Sequence, residues 1–160
     1  MTDNYLIVVG VDGSLGSRRA LEWAAHEAAA RGGAVQAVTA WSWDGIEYGP
    51  LTATRPEEEA QQAAELLDRE VKALAARHGT AQPVAAEVIE GRAADVLTAA
   101  ATVADLLVLG SHGHSRVRHT VLGSVSEECI RKARCPVVVI PVPVEQPAQS
   151  REPALRGSTT

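Results

Sequence analysis

The sequence predicts a single α/β domain in which a parallel sheet carries helices on both faces. Five short apolar runs lie along the 160 residues, and segments with helical spacing of apolar side chains lie between them. Strands that alternate with helices are joined by right-handed crossovers and run parallel. Most of the runs are continuous rather than alternating, which is typical of strands buried on both faces. A chain of this length can bury a core without disulfides or structural metals.

The predicted strands are rich in Val, Ile and Leu. They are Tyr5–Val11, Ala34–Trp41, Val84–Ile89, Asp105–Gly110 and Pro136–Ile140. The sequence contains no Phe and only 3% aromatic residues. Ala, Val, Leu and Ile must therefore build the core.

Helices are predicted wherever apolar side chains recur with a period of three or four residues. These segments are Arg18–Arg31, Glu57–His78, Ala93–Val103 and Val125–Ala133. The apolar stripe of the second helix comprises Ala60, Ala63, Ala64, Leu67, Val71, Leu74 and Ala75. Ser14 or Ser17 can cap the first helix, and Gly32-Gly33 and Gly79 can end the first and the second. In the resulting βα order, ligands bind in loops at the carboxyl ends of the strands.

Two segments lie outside these elements. The loop Ser42–Arg55 is the longest internal connection, and we interpret it as mobile, with a role as a lid. The tail after Ile140 carries several prolines and ends Gly-Ser-Thr-Thr. Residues 1–143 are therefore expected to form the domain, and residues 144–160 to be disordered.

Composition argues against several classes of protein. The formal charge of −5 and the pI of about 5.5 give no general attraction to nucleic acid or to a membrane surface. No apolar stretch approaches the roughly 20 residues that a membrane span needs, and the N-terminus lacks the features of a signal peptide, so we expect a cytoplasmic protein. Cys129 and Cys135 match no zinc or redox spacing, which favours two reduced thiols over a redox-sensing pair.

The first predicted strand ends in Val11-Asp12-Gly13-Ser14. An aspartate at the carboxyl end of a strand, on a glycine turn into a helix, is typical of a ligand-facing position. Its carboxylate could accept hydrogen bonds from ribose hydroxyls or hold a metal through water. Alternatively, Asp12 only orders the turn by accepting from nearby backbone N–H groups.

The fourth predicted strand leads into a glycine-rich, locally positive segment. Gly110, Gly113 and Gly123 would let backbone approach a ligand and adopt positive φ, and Gly123-Ser124 opens a helix whose free N–H groups favour an anion. No Asp or Glu occurs from Leu106 to Ser126, whereas that window carries His112, His114, Arg116, Arg118 and His119. The segment therefore suits phosphate groups. The alternative is a surface loop with incidental charge.

The sequence shows no motif of the other common nucleotide-binding loops, of a metal site or of a catalytic centre. The glycine segment lacks the lysine of a Walker A loop, and the first turn lacks the spacing of a dinucleotide fingerprint. His112, His114 and His119 lie together without a carboxylate or thiolate, so we expect no metal site. No serine lies in a nucleophile elbow and no acid–base pair stands out, so we expect no enzyme; if a bound nucleotide is hydrolysed, we expect slow attack by a bound water.

These motifs resemble the universal stress protein family. Gly110-x2-Gly113-x9-Gly123-Ser124 is similar to the ATP-binding signature of that family, and the segment Val9–Ser14 resembles its first strand and turn. The likeness spans about Tyr5 to Pro141. It implies a Rossmann-like universal stress protein domain, of the adenine nucleotide α hydrolase kind, with a five-stranded sheet in the order 3-2-1-4-5.

The resemblance also implies an ATP site, often with Mg²⁺. Asp12 would lie near adenosine, beside Val11, and the backbone of Ala40 would contact adenine. The residues expected around ribose and phosphates, with His114 in the same loop, are Gly110, His112, Gly113, Gly123, Ser124 and Val125. The family further implies a homodimer, often through the last strand. Val137–Ile140 would be an uncharged edge strand that tends to pair, unless the Pro-rich tail covers it.

Three hypotheses for function follow. The first is an ATP-binding module of stress response or signalling, whose loops change order with nucleotide occupancy. The second is a slow ATPase or another enzyme of adenine nucleotides. The third is a dimeric interaction protein that needs no ligand.

Overall fold

The computed structural model describes residues 4–43, 55–79, 82–114 and 122–143. In these residues the chain forms a five-stranded sheet with α-helices between the strands. The strands are β1 (Leu6–Gly10), β2 (Ala34–Trp41), β3 (Val84–Glu90), β4 (Leu106–Gly110) and β5 (Val137–Ile140). The helices are α1 (Leu15–Arg31), α2 (Pro56–His78), α3 (Ala93–Ala100) and α4 (Ser124–Lys132), and a 3₁₀ turn, Ala101–Val103, extends α3.

The strand order is β3-β2-β1-β4-β5, and every pairing is parallel. The predicted fold and strand order are confirmed. Ile7 of β1 pairs with Val35 of β2 on one side and with Leu106 of β4 on the other. The chain therefore adds β2 and β3 on one side of β1, and then adds β4 and β5 on the other side. This reversal opens a crevice at the carboxyl ends of β1 and β4.

Two apolar layers hold helices on opposite faces of the sheet. One face of β1 contributes Ile7 and Val9 to a core shared with α1 and α2, and the other face contributes Val8 to a core shared with α3 and α4. The fully buried helical alanines are Ala20, Ala24 and Ala28, all on α1. Their small side chains let this helix lie close to the sheet, so the core is filled without Phe.

The capping residues define where the helices begin and end. Ser14 caps α1, because its Oγ accepts from the Ser17 N–H at 3.2 Å, and the helix begins earlier than the predicted Arg18. Gly32 ends α1 in the left-handed region, with φ 64°. Gly79 follows α2, with φ 79°, and its N–H donates to Ala75 O.

The structure corrects two expectations about burial. β3 is an edge strand on which Ala85, Ala86 and Glu87 are exposed, so this strand is not buried on both faces. On α2, Ala64 of the predicted apolar stripe is exposed, whereas Glu70 is buried. Most of the predicted lid, residues 44–54, and the predicted tail, residues 144–160, lie outside the described residues.

Glu70 is buried because Arg18 of α1 neutralises it. Arg18 Nε lies 3.2 and 3.0 Å from the two carboxylate oxygens of Glu70, and Glu70 is 4% exposed. A carboxylate buried without its cation is strongly destabilising. Because Arg18 itself is half-exposed, we expect Arg18→Ala to lower the free energy of unfolding by about 2 kcal/mol, within the range for a hydrogen bond to a charged group.

Urea unfolding of this variant checks the prediction. Arg19→Ala is the control, because Arg19 is an exposed neighbour on the same helix. Equal stability of the two variants would contradict the role assigned to the pair.

Among the helices in the described ranges, none combines the length and the apolar character needed to cross a membrane.

Candidate functional site

A cleft of about 470 Å³ opens at the carboxyl ends of β1 and β4. It is lined by the β1–α1 turn, the end of β2, the first turn of α3, the loop after β4 and the start of α4. All of the predicted site residues line it: Val11, Asp12, Ala40, Gly110, His112, Gly113, His114, Gly123, Ser124 and Val125. The fold thus brings together the two motifs that lie far apart in the sequence.

Asp12 orders its turn and lines the cleft at the same time. Its Oδ1 accepts from the Ser14 N–H at 2.9 Å and from the Ser14 hydroxyl, while its own N–H donates to Ser17 Oγ. A Cβ at Gly113 would lie 2.7 Å from Asp12 Oδ2, so this second oxygen lies against the loop that follows β4. Asp12 can therefore order its turn and also face a ligand in the cleft, so the two interpretations offered by the sequence are compatible.

The glycines after β4 are required for close packing rather than for positive φ. None of Gly110, Gly113 and Gly123 lies in the left-handed region, so that expectation is wrong. A Cβ at Gly110 would lie 2.5 Å from the carbonyl carbon of Gly16, at the start of α1. Gly110 thus lets a helix terminus and a strand end meet backbone to backbone. This contact is internal packing, and Gly110 lines the cleft as well.

The start of α4 presents backbone N–H groups at the cleft. Gly123 is the N-cap, and its own N–H donates to Ser111 O at 2.7 Å. Ser124 and Val125, which are exposed, lie in the first turn, whose N–H groups have no partner inside a helix. These N–H groups and the helix dipole favour an anion there.

The sequence analysis missed two residues of α4 that line the cleft, the buried Ser126 and the acidic Glu127. Ser126 is buried, and its hydroxyl donates to Gly110 O at 2.8 Å, which fixes the start of the helix on the end of β4. Glu127 also lines the cleft and is exposed. It follows directly after the window without carboxylates, so extending that window by one residue would have revealed it.

The remaining lining of the cleft is mostly apolar. It includes Val38 and Ala40 from the end of β2, Leu109 from β4, and Ala93 and Leu97 from α3. Ala93 and Leu97 were not predicted as site residues. The signal that could have found them is their place in the first turns of the helix that follows directly after β3. The cleft thus combines an apolar lining with the N–H groups of α4.

A charged network joins the two helices that line this side of the cleft. Lys132 Nζ lies 3.0 Å from Asp95 Oδ1 and 2.8 Å from Glu128 Oε1, and Arg92 Nη2 lies 3.1 Å from Glu128 Oε2. The hydrogen bonds from Lys132 lower the pKa of the Asp95 and Glu128 carboxyl groups. These ion pairs tie α3 to α4 across the surface.

The histidines of the loop after β4 contact neighbouring backbone and side chains. His114 Nε2 lies 2.6 Å from Asp12 O, which joins this loop to the first turn, and His112 Nδ1 lies 3.1 Å from Ser111 Oγ. His119 lies outside the described residues. Across the described ranges, no three His, Cys, Asp or Glu side chains are grouped so that they could hold a metal ion.

Neither cysteine has the environment of a reactive thiol. Cys129 is fully buried in the core between α3 and α4, and burial raises the pKa of its thiol to about 11. Burial also raises the pKa of the half-buried Cys135. Because the thiolate is the nucleophile, we expect a thiol reagent at neutral pH to label Cys129 only after the protein unfolds. Peptide mass mapping checks this, and rapid labelling of Cys129 in the native protein would contradict it.

Comparison with known proteins gives the family. The model of the universal stress protein family matches residues 6–141. The universal stress protein MT2052 of Mycobacterium tuberculosis (strain CDC 1551 / Oshkosh) is 34% identical over 165 residues, covering 94% of this chain and 51% of that protein. The chain therefore spans about half the length of the curated relatives it matches.

Solved structures of the family share the fold. A universal stress protein in complex with cAMP is 27% identical with a TM-score of 0.63, covering 86% of this chain and 96% of that one. The universal stress protein of Archaeoglobus fulgidus in complex with dAMP is 25% identical with a TM-score of 0.61, covering 87% and 98%. The family model, the relatives and the parallel sheet agree, and the chain belongs to the universal stress protein family.

Proposed function

We propose that the chain binds ATP in the cleft at the ends of β1 and β4 and acts as a nucleotide-dependent module of stress response or signalling in the cytoplasm. The observation that carries this proposal is the composition of the cleft. An apolar lining that suits a base and an N-terminal helix turn that suits phosphates occur in one cavity. The cAMP and dAMP complexes of two relatives support an adenine nucleotide.

Each part of the nucleotide has matching groups in the cleft. Val38, Ala40 and Leu97 would pack against the adenine ring, with Asp12 beside the ribose. The N–H groups of Ser124 and Val125 would receive phosphate oxygens. The local positive charge of the segment after β4 favours several phosphates, and therefore ATP over AMP or cAMP.

Mg²⁺ would bind in the cleft together with the phosphate groups of the nucleotide. This ion is commonly bound by one or two carboxylates together with phosphate oxygens and waters. The carboxylate of Asp12 fits such a role, because Ser14 occupies only its Oδ1. Bound Mg²⁺ would offset phosphate charge next to this carboxylate.

We propose binding rather than turnover as the role of the site. Asp12 and Glu127 are the carboxylates among the cleft residues that the structure describes. Asp12 is held by Ser14, and Glu127 is an exposed residue of α4. Neither forms part of an acid–base pair, so ATP hydrolysis is expected to stay well below about 1 s⁻¹, the low end of ordinary enzymes. A faster rate would favour the enzyme hypothesis.

We also propose a homodimer through β5. This strand is at the edge of the sheet, and its residues Val137–Ile140 are uncharged and only half-buried in the single chain. Such an edge can pair with a second copy. Sedimentation velocity should give the mass of two chains, and a monomer at micromolar concentration would refute this part of the proposal.

The test of the site begins with the freshly purified protein. Mass spectrometry of the small molecules released on denaturation should recover ATP or ADP near one per chain. If none is recovered, calorimetry with ATP and Mg²⁺ should still show saturable binding, with AMP and cAMP as competitors. The proposal fails if nucleotide neither copurifies nor binds at millimolar concentration.

A further inference from the structure

The turn that carries Asp12 is attached to α1 and to β2. The Asp12 N–H donates to Ser17 Oγ at 3.3 Å, and Asp12 Oδ1 accepts from the Ser14 N–H at 2.9 Å. Immediately before it, the carbonyl oxygen of Val11 accepts from the Thr39 hydroxyl of β2 at 2.8 Å. These bonds fix the turn on one side of the cleft, and none of them involves the loop that follows β4.

Gly113 and His114 reach the same turn from the loop after β4. His114 Nε2 lies 2.6 Å from Asp12 O. A carbonyl oxygen can only accept a hydrogen bond, so Nε2 of His114 must carry the proton and donate it. A Cβ at Gly113 would lie 2.7 Å from Asp12 Oδ2, so a residue with a side chain could not lie this close to the carboxylate. The loop therefore meets both the backbone and the side chain of Asp12.

His114 reaches Asp12 from a well-packed base, although its own side chain is exposed. A Cβ at Gly16, in the first turn of α1, would lie 2.6 Å from His112 O, so the backbone just before His114 lies against this helix. An exposed side chain adds little to the core, and its replacement should leave the fold intact. The hydrogen bond to Asp12 can thus be removed without disturbing the packing beneath it.

We propose that His114 is a positioning residue, whose Nε2–H holds the turn at Asp12 against the loop after β4 and keeps the Asp12 carboxylate facing the cleft. This role differs from a phosphate contact, because the proton that Nε2 donates to Asp12 O is not available to a phosphate oxygen. With the turn held in this way, the carboxylate is placed for the ribose before a ligand arrives. The consequence for the ligand rests on the proposed function, whereas the hold on the turn does not.

Hydrogen exchange of the Ser14 amide measures the hold on the turn in the protein without nucleotide. This amide donates to Asp12 Oδ1, and Ser14 is buried. His114→Ala removes the donor to Asp12 O and should speed the exchange roughly fivefold, as expected for the loss of one hydrogen bond. An unchanged exchange rate in His114→Ala would overturn the proposal.

Two amide substitutions supply the matched controls. In His114→Gln the side-chain N–H₂ group lies near the place of Nε2, so this variant should keep the exchange rate of the wild-type protein. In His114→Asn the shorter side chain brings its N–H₂ group only to the place of Nδ1, so this variant should exchange as fast as His114→Ala. Equally fast exchange in His114→Gln would show that a donor at this position does not hold the turn.

The affinities for adenosine and ATP test the consequence for the ligand separately. Both contain the ribose beside Asp12, and only ATP contains phosphates, so His114→Ala should weaken both roughly fivefold in titrations followed by NMR, again the effect of one hydrogen bond. A loss confined to ATP would show that His114 contacts the phosphates, and it would overturn the positioning role. Absence of binding of both compounds to the wild-type protein would refute the proposed function and leave the exchange result for Ser14 standing.

Discussion

Replacing Ser124 by Glu is expected to weaken ATP binding about a hundredfold while leaving the fold as stable as before. Ser124 is exposed in the first turn of α4. A carboxylate at this position is favourable for the helix, because it lies at the positive end of the dipole. The same carboxylate would repel phosphates and compete for the first-turn N–H groups. Calorimetric titration with ATP and Mg²⁺, together with urea unfolding, measures both effects.

The control for this experiment is Ser124→Gln, which has nearly the same size as Glu and no charge. We expect it to retain most of the affinity. If Ser124→Glu bound ATP as tightly as the wild-type protein, the phosphates could not lie at the start of α4. If both variants lost affinity equally, the loss would come from bulk, and the electrostatic part of the argument would be wrong.

Gly110→Ala is expected to destabilise the protein by about 3 kcal/mol, the upper range for overpacking in a tight interior. The added Cβ would lie 2.5 Å from the carbonyl carbon of Gly16 and 2.8 Å from its Cα. Both are backbone atoms of α1, so no side chain can rotate away. The helix start would have to move off the end of β4. Urea unfolding measures the loss.

Gly123→Ala is the matched control within the same segment. Its Cβ would lie 3.2 Å from Ser111 O, a contact that a shift of a few tenths of an ångström relieves. We therefore expect a much smaller loss of stability for Gly123→Ala. Equal effects of the two substitutions would show that the backbone contact at Gly110 does not limit the fold.

The main features of the fold could be predicted because they depend on local patterns. An apolar run lies at each strand of the sheet, and β2 begins at Ala34 and ends at Trp41 as predicted. The order of the strands came from the resemblance to a family, because periodicity does not encode which strands are neighbours. The end of α1 at Arg31 was predicted from the glycines that follow it, whereas its start was predicted at Arg18 and lies at Leu15, because the choice between Ser14 and Ser17 as the cap needed the hydrogen bond itself.

Features that depend on contacts between distant segments were missed or misinterpreted. Glu70 is a charged residue at the helical spacing of the buried Leu67 and Leu74, and only its approach to Arg18 on another helix explains how it can be buried. Ala93 and Leu97 carry no chemical signal and line the cleft because β3 ends at the same edge of the sheet. Gly110 lines the cleft as predicted, but its close contact with the backbone of Gly16 could not be read from the sequence.

The sequence by itself determined the class of the fold, the family and the two segments that form the cleft. It could do so because each of the two motifs is a local arrangement, in which a strand leads through a glycine-containing turn into the start of a helix. The tertiary structure decided which groups share the cleft, which glycine packs against backbone and how Ser126 joins the start of α4 to the end of β4. These features depend on distances between segments remote in sequence, and the packing of helices on the sheet determines those distances.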